Sequence, residues 1–149
     1  MKWAILFFVP LVAADHRPAG TPAEDLAQVQ AEPRPEKRAH EALDNADNAL
    51  RLAREAYGKG DLEGTRARLY EVARSVELTD SSLTQTGKKP SRSPKHFKYA
   101  ELRTRELLRK LEGFREEMSV ADRPELERVM TTVQKIHDAW LDGIMGKNK

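Results

Sequence analysis

Apolar side chains recur every three or four residues through four stretches of this chain, with polar residues between them. That spacing places the apolar residues on one face of an α-helix. The first stretch predicts a helix from about Glu36 to Tyr57, and the second a helix from Leu62 to about Leu83. The third and fourth stretches predict helices from Pro94 to about Met118 and from about Arg123 to Gly146.

The residues that share this spacing are expected to face inward. In the first two predicted helices they are Ala39, Ala42, Leu43, Ala46, Ala49, Leu50, Ala53, Ala56 and Tyr57, then Leu62, Leu69, Val72, Ala73 and Val76. In the last two they are Phe97, Ala100, Leu107, Leu108, Leu111, Phe114 and Met118, then Leu126, Val129, Met130, Val133, Ile136, Trp140 and Ile144. Because the first stripe is mostly alanine, we expect a partner helix to approach it closely.

Helix boundaries can be predicted from the residues that interrupt the pattern. Gly58 can adopt the left-handed conformation that ends the first helix, and Asp61 can cap the second. Ser93 followed by Pro94 is typical of a cap and a first helical residue. Asp122 is the predicted cap of the last helix, with Arg123 as the alternative because a residue before proline resists helical angles. Short connections favour antiparallel neighbours within each pair of helices.

The predicted fold class is therefore all-α, with two antiparallel helical hairpins forming a four-helix bundle. The hairpins cover residues 36–83 and 94–146, and a basic linker of Gly, Pro, Ser and Lys at 84–93 joins them. Less regular packing of the two hairpins, or pairing of hairpins between chains, remains an alternative.

The amino-terminal fourteen residues are typical of a secretory signal peptide. A Lys near the start precedes a twelve-residue apolar run from Trp3 to Ala14, which ends in the small residues of a cleavage site. That run is too short to span a bilayer, which takes about 20 residues. We therefore expect an exported soluble chain beginning at Asp15, either periplasmic or extracellular.

Residues 15–35 contain four prolines and are predicted to form a flexible tether before the bundle domain at 36–146. Thr21-Pro22-Ala23-Glu24 matches a capping box, so a short helix to about Ala31 is expected, frayed because isolated short helices are marginal in water.

Composition narrows the function classes. The chain has no cysteine, which excludes disulfides, thiolate metal sites and covalent haem attachment. No transmembrane span is expected after processing. Motifs for di-iron binding, zinc proteases, serine hydrolases and phosphate-binding loops are also absent. The sequence predicts no enzyme, no cofactor and no metal site.

Charge is distributed unevenly along the chain. Residues 15–80 hold 10 Lys and Arg against 14 Asp and Glu, a net charge of −4, whereas residues 81–149 hold 15 against 10, a net charge of +5. The halves can attract each other within one bundle, or the basic half can face an anionic partner.

The candidate binding site is a basic cluster at the start of the third helix, where five cations fall within eleven residues: Lys88, Lys89, Arg92, Lys95 and Lys98. Cations are unfavourable in a first helical turn, and free backbone amides there attract anions. The alternative is a solvated linker in which Lys98 pairs with Glu101.

Histidines give weaker candidates. His40, Asp44 and Asp47 share a helical face that could hold a metal weakly, although a solvated face is the expected interpretation. His137, one turn before Trp140, is expected to flank the core rather than bind a ligand or sense pH.

Two resemblances follow from these segments. The first hairpin, with Ala53-x-x-Ala56 and Gly60-Asp61-Leu62, resembles a single tetratricopeptide repeat unit over about 30 residues. The second hairpin is similar to small exported bacterial helical proteins of unknown function, through His96-Phe97-Lys98, Arg123-Pro124-Glu125 and Ile136-His137-Asp138. The second resemblance implies export and a helical fold, and it implies no activity.

We therefore predict a small exported helical interaction or scaffolding protein of the cell envelope, without catalysis. The alternative is an anion-binding protein that uses the basic cluster. The expected partner is an unidentified envelope protein or an anionic ligand, with no specific nucleic acid, and the sequence leaves the oligomeric state open.

Overall fold

The computed structural model describes residues 20–147, which form five α-helices and one short 3-10 helix without any strand. The α-helices are α1 (Pro22–Gln30), α2 (Pro35–Gly58), α3 (Leu62–Gln85), α4 (Lys95–Glu117) and α5 (Arg123–Ile144), and the 3-10 helix is Val120–Asp122. The predicted all-α class is confirmed. The predicted signal peptide and cleavage site lie outside the described residues.

The helices pack together around one core. Helix α2 packs on α3 and α4 packs on α5, while α3 contacts α5 and α2 contacts α4. The end of α2 lies close to the connection between α4 and α5. There the Tyr57 hydroxyl donates to an Asp122 carboxylate oxygen at 3.0 Å and accepts from the Ser119 backbone amide at 2.9 Å. Helix α1 lies over α2 and α3.

The alanine stripe of α2 is buried as expected. Five alanines of this helix are at most 1% exposed, namely Ala39, Ala42, Ala46, Ala49 and Ala53. Helix α3 meets them with small polar residues, of which Ser75, Thr79 and Ser82 are buried. The Thr79 hydroxyl bonds the Ala39 carbonyl oxygen at 3.3 Å, so a side chain of α3 reaches the backbone of α2.

Most of the predicted inward residues lie in or against the core, including Phe97, Leu111, Phe114 and Trp140. Leu62 is a correction, because 38% of its surface is exposed. It is the first residue of α3, so the core that its stripe faces does not extend around it.

Two predicted helix ends differ from the structure. Helix α2 continues through Gly58, and the left-handed residue is Gly60, with φ +76°. The amides of Gly60 and Asp61 close this end by bonding the carbonyl oxygens of Tyr57 and Ala56, both at 2.9 Å. Helix α4 begins one residue later than predicted, since Pro94 rather than Ser93 is the cap.

The other two predicted capping residues stand at the starts of their helices. Asp61 caps α3 by accepting from the Gly64 amide at 2.8 Å. Asp122 stands at the cap of α5, but its carboxylate makes no capping bond and accepts from Ser119 and Tyr57 instead.

The segment predicted as a tether contains α1, whose capping box between Thr21 and Glu24 is formed. The expectation of a frayed helix differs from the structure, because α1 is held by tertiary contacts. Arg68 of α3 donates to an Asp25 carboxylate oxygen at 2.9 Å and to the Gly20 carbonyl oxygen. Those contacts compensate for the low intrinsic stability of a nine-residue helix.

Candidate functional site

The basic cluster lies on the connection between α3 and α4 and on the first turn of α4. All five side chains are exposed, and Lys88 pairs with Glu36 of α2 at 2.8 Å. Among residues 20–147, no carboxylate lies within ion-pair distance of Lys89, Arg92, Lys95 or Lys98. Pro94 offers no capping side chain, and the first turn of α4 has no acidic residue. The predicted excess of positive charge at this helix end is therefore present in the structure.

The predicted pair between Lys98 and Glu101 is not formed. Glu101 turns inward, where it is 5% exposed, and accepts from the guanidinium of Arg105 at 3.1 Å. His137 Nε2 lies 3.6 Å from the same carboxylate, and His137 Nδ1 lies 3.0 Å from the Thr104 hydroxyl. His137 is thus buried between α4 and α5, which agrees with the core-flanking interpretation.

A cluster of rings lies where α2 meets α4. His40 Nε2 lies 3.1 Å from His96 Nδ1, and the His40 ring stacks on Tyr99 with centroids 4.0 Å apart and planes 9° apart. Burial lowers the pKa of His40, as does the neighbouring His96, while Asp44 acts to raise it. No local pattern pairs His40 with His96, which stands 56 residues away in the chain.

The two aspartates on the His40 face bind an arginine rather than standing free. Arg103 of α4 contacts Asp44 at 2.9 Å and Asp47 at 2.7 Å, and it donates to the Tyr99 hydroxyl at 2.6 Å. Burial acts to lower the pKa of Arg103, but the hydrogen bonds to Asp47 and Asp44 outweigh it and the pKa is raised. This face is partly solvated, as expected, since the Asp44 side chain is 68% exposed, but α4 also supplies a cation that the sequence of α2 does not show.

A buried polar network joins α1, α2 and α3. Glu71, 2% exposed, accepts from Arg68 at 2.8 Å and from Asn45 at 2.9 Å. Burial raises the pKa of Glu71, although Arg68 and Asn45 oppose that shift. Arg68 also binds Asp25, so a single guanidinium links α3 to α1. This network joins the three helices through side-chain hydrogen bonds.

A groove of about 560 Å³ runs between α3 and α5. Its apolar residues include Ala67, Tyr70, Ala73 and Val129. Tyr70 is 67% exposed, and among the described residues it is the one aromatic side chain among the exposed large hydrophobic residues. Three arginines and three glutamates border the groove, namely Arg66, Arg74, Arg128, Glu63, Glu77 and Glu125.

Sequence reasoning missed Tyr70, although a signal was present. Tyr70 follows the inward residue Leu69 and lies off the stripe formed by Leu69, Val72, Ala73 and Val76. An aromatic residue on the polar face of an amphipathic helix is costly to expose, and aromatic residues are enriched at interfaces.

The remaining observations concern buried polar groups, metal ligands and membrane spans. Every buried side-chain nitrogen and oxygen in residues 20–147 has a hydrogen-bond partner. Within the same range, no three or more His, Cys, Asp or Glu residues are grouped to hold a metal ion. None of the helices described is long and apolar enough to cross a membrane.

Comparisons with known proteins find no significant match to this chain. No protein-family model matches the chain, and no curated protein or solved structure is significantly similar to it. The class defined by fold and site is that of a small all-helical protein with polar networks in its interior and an apolar groove at its surface.

Proposed function

We propose that this protein is a small exported helical interaction protein of the cell envelope, without a catalytic role. Its proposed architecture is a four-helix bundle of two antiparallel hairpins, α2–α3 and α4–α5, with α1 over one groove. Contacts of α3 with α5 and of α2 with α4, in addition to those within each hairpin, support a closed ring of four helices.

The observation that carries the proposal is the groove between α3 and α5. Its exposed Tyr70 is flanked by Arg66 and Arg128. Tyrosine and arginine supply much of the binding energy in protein interfaces, because each offers a large contact area together with polar groups. A surface of this kind is better suited to binding a protein than to binding a small substrate.

We infer that the partner presents a short helix with acidic residues. Helix α1 is the precedent, since it lies over the neighbouring surface of α2 and α3 and offers Asp25 to Arg68. In the α3–α5 groove, Arg66 has no carboxylate within ion-pair distance among residues 20–147 and would be available to the partner. The groove extends from Glu63 to Glu77, about 21 Å at 1.5 Å per residue, which matches a helix of about fourteen residues.

Export is supported by the apolar run that ends in Val12-Ala13-Ala14. The absence of a catalytic role is supported by the interior. The buried ionisable groups Glu71, Glu101 and His137 all face protein partners, so none is directed toward a site where a substrate could bind.

A photo-cross-linking residue at position 70 tests the proposal in envelope extracts, with the same residue at Leu102 as the control. Leu102 is 57% exposed on α4 and does not line the groove. We expect position 70, and not position 102, to cross-link one protein, and mass spectrometry to map the link to an acidic helical segment. Arg66→Glu should weaken capture by charge repulsion. Equal cross-linking from both positions, or none from position 70, would contradict the proposal.

A second function is favoured by the unpaired charge of the basic cluster. Lys89, Arg92, Lys95 and Lys98 have no acidic partner among the described residues, and they surround the uncapped start of α4. We propose as the alternative that this surface binds an anionic ligand electrostatically.

Vesicle and phosphate binding at low salt tests this alternative. Parent protein should bind anionic vesicles or raise its melting temperature with phosphate, and both effects should fall steeply as salt is added. A variant with the five cations Lys88, Lys89, Arg92, Lys95 and Lys98 changed to glutamine is the control. If that variant responds as the parent does, the cluster is not an anion site.

A further inference from the structure

The strongest unassigned feature is the pair of imidazoles that joins α2 to α4. His40 Nε2 and His96 Nδ1 are 3.1 Å apart and both rings are partly exposed. Two nitrogen ligands on a tetrahedral metal, each at about 2.0–2.1 Å, stand about 3.3 Å apart. The two nitrogens are therefore already at nearly the separation that one shared metal ion requires.

We propose that His40 and His96 together bind a divalent first-row transition-metal ion, Zn²⁺ or Cu²⁺, and that the ion links α2 to α4. A small rotation of the rings would direct both nitrogen lone pairs to the ion, and the proton of the hydrogen bond between them would move to the other nitrogen of its own ring. Imidazole nitrogen is a preferred ligand of both metals. With two protein ligands, the remaining coordination positions would be taken by water.

The surroundings of His40 orient its ring. Tyr99 stacks on one face, and the Tyr99 hydroxyl accepts from Arg103, which Asp47 holds in turn. Oriented ligand rings lower the entropy that is lost when a metal binds, and supporting contacts of this kind commonly raise metal affinity. The stack therefore favours a metal site over two independently mobile histidines.

The charges around the pair are mixed. Lys95 and Arg103 act against a cation, while Asp44 favours one, and Arg103 is itself paired with Asp44. Glu36 stands one turn before His40 and pairs with Lys88, so another carboxylate lies on the same side of α2. The neutral imidazole is the form that binds metals.

Thermal unfolding with added metal is the first test. The protein is prepared without a histidine tag. Every sample, including the parent, carries His16→Gln, because His16 and a free amino terminus beside it could bind Cu²⁺ themselves. At pH about 7.5, Zn²⁺ should raise the melting temperature by about 5 °C or more at saturation, and Mg²⁺, which prefers oxygen ligands, should not. Calorimetric titration should show one ion per chain.

Single substitutions identify the ligands. His40→Gln and His96→Gln should each weaken Zn²⁺ binding at least about tenfold, while His137→Gln, the matched change at a buried histidine away from the pair, should leave Zn²⁺ affinity unchanged. Circular dichroism establishes that each variant is folded before titration. Equal affinity in the parent and in His40→Gln would overturn the proposal.

Proton NMR keeps the proposal testable if a variant fails to fold. In the His16→Gln protein, Zn²⁺ should shift the ring signals of His40 and His96 and leave those of His137 in place. Shifts confined to His137, or no shift in any ring signal at saturating Zn²⁺, would show that the imidazole pair is a hydrogen bond alone.

Discussion

At the scale of single residues, stability depends on polar groups that are buried with partners. Trp140 is 3% exposed, and its indole nitrogen donates to an Asp80 carboxylate oxygen at 2.8 Å. Glu71 and Glu101 are buried against arginines in the same manner. Removing one member of such a pair leaves the other without a partner, which costs more than the hydrogen bond contributes.

Trp140→Ala should destabilise the protein strongly. Truncating a buried aromatic side chain typically costs about 3–5 kcal/mol, which is a large part of a domain's total of about 5–15 kcal/mol. Urea unfolding followed by circular dichroism should show a much lower midpoint. Leu102→Ala, an exposed position on α4, should change the unfolding free energy by less than about 0.5 kcal/mol. A midpoint unchanged in Trp140→Ala would place the indole outside the core.

The difference in stability between Glu71→Gln and the parent should depend on pH. Burial raises the folded-state pKa of Glu71 above 4.5, so this group's contribution is complete below pH 4.5 and is lost as pH rises through the folded pKa. The variant behaves as a permanently neutral form. Its unfolding free energy minus that of the parent should therefore increase as pH rises above 4.5 in a series of urea titrations. Glu77→Gln, on the more exposed side of α3, is the control, and a difference that falls with pH would reverse the sign assigned here.

At the scale of elements, α1 shows how tertiary contact determines whether a short helix persists. Its own sequence supplies the capping box and a proline at the first turn, but none of its residues is fully buried. Asp25 and Gly20 instead bind Arg68 of α3, which is itself held by Glu71. One guanidinium therefore supplies the ion pair between α1 and α3, in addition to the packing of α1 on α2 and α3.

Asp25→Asn should loosen α1 while leaving the other helices in place. The substitution removes the carboxylate that Arg68 binds but retains the helix length and the capping box. Hydrogen exchange should be faster for the backbone amides of Leu26 to Gln30 and unchanged for those of α5. Gln28→Ala, at an exposed position of α1, should not accelerate exchange. Equal protection in Asp25→Asn and the parent would mean that other contacts hold α1.

At the scale of the whole molecule, the two halves of the chain meet through charge as well as through the core. The acidic half supplies Asp44, Asp47 and Glu36, and the basic half supplies Arg103 and Lys88. The attraction between halves that the charge distribution predicted is therefore present at specific pairs between α2 and the second half. Part of the remaining positive charge lies in the basic cluster, where it is exposed.

Processing after Ala14 is the prediction that concerns the whole chain. The prediction is based on the apolar run that ends in two alanines and is followed by Asp15. Mass spectrometry of protein recovered from the envelope or the medium of an expressing bacterium should give Asp15 as the amino terminus. Ala14→Arg should block the cut, because the site accepts small residues. Intact Met1 on the parent protein in the membrane fraction would contradict both the cleavage and the release.

The amino-acid sequence by itself determined the number and positions of the four long helices and most of their inward faces. These properties depend on spacings of three and four residues, which are local. The exceptions lie at element ends: Gly60 rather than Gly58 takes the left-handed conformation after α2, Pro94 rather than Ser93 caps α4, and Leu62 is partly exposed. At such positions the choice between neighbouring residues depends on small energies and on where the core stops.

Only the tertiary structure decided which distant residues meet. His40 lies beside His96, Glu71 is buried against Asn45, and α1 is held by Arg68. These partners are 26 to 56 residues apart, and the register between packed helices depends on the summed shape of many side chains rather than on any local pattern. The proposed metal site and the groove beside Tyr70 both arise from that register, which is why helical periodicity predicted the fold class and neither site.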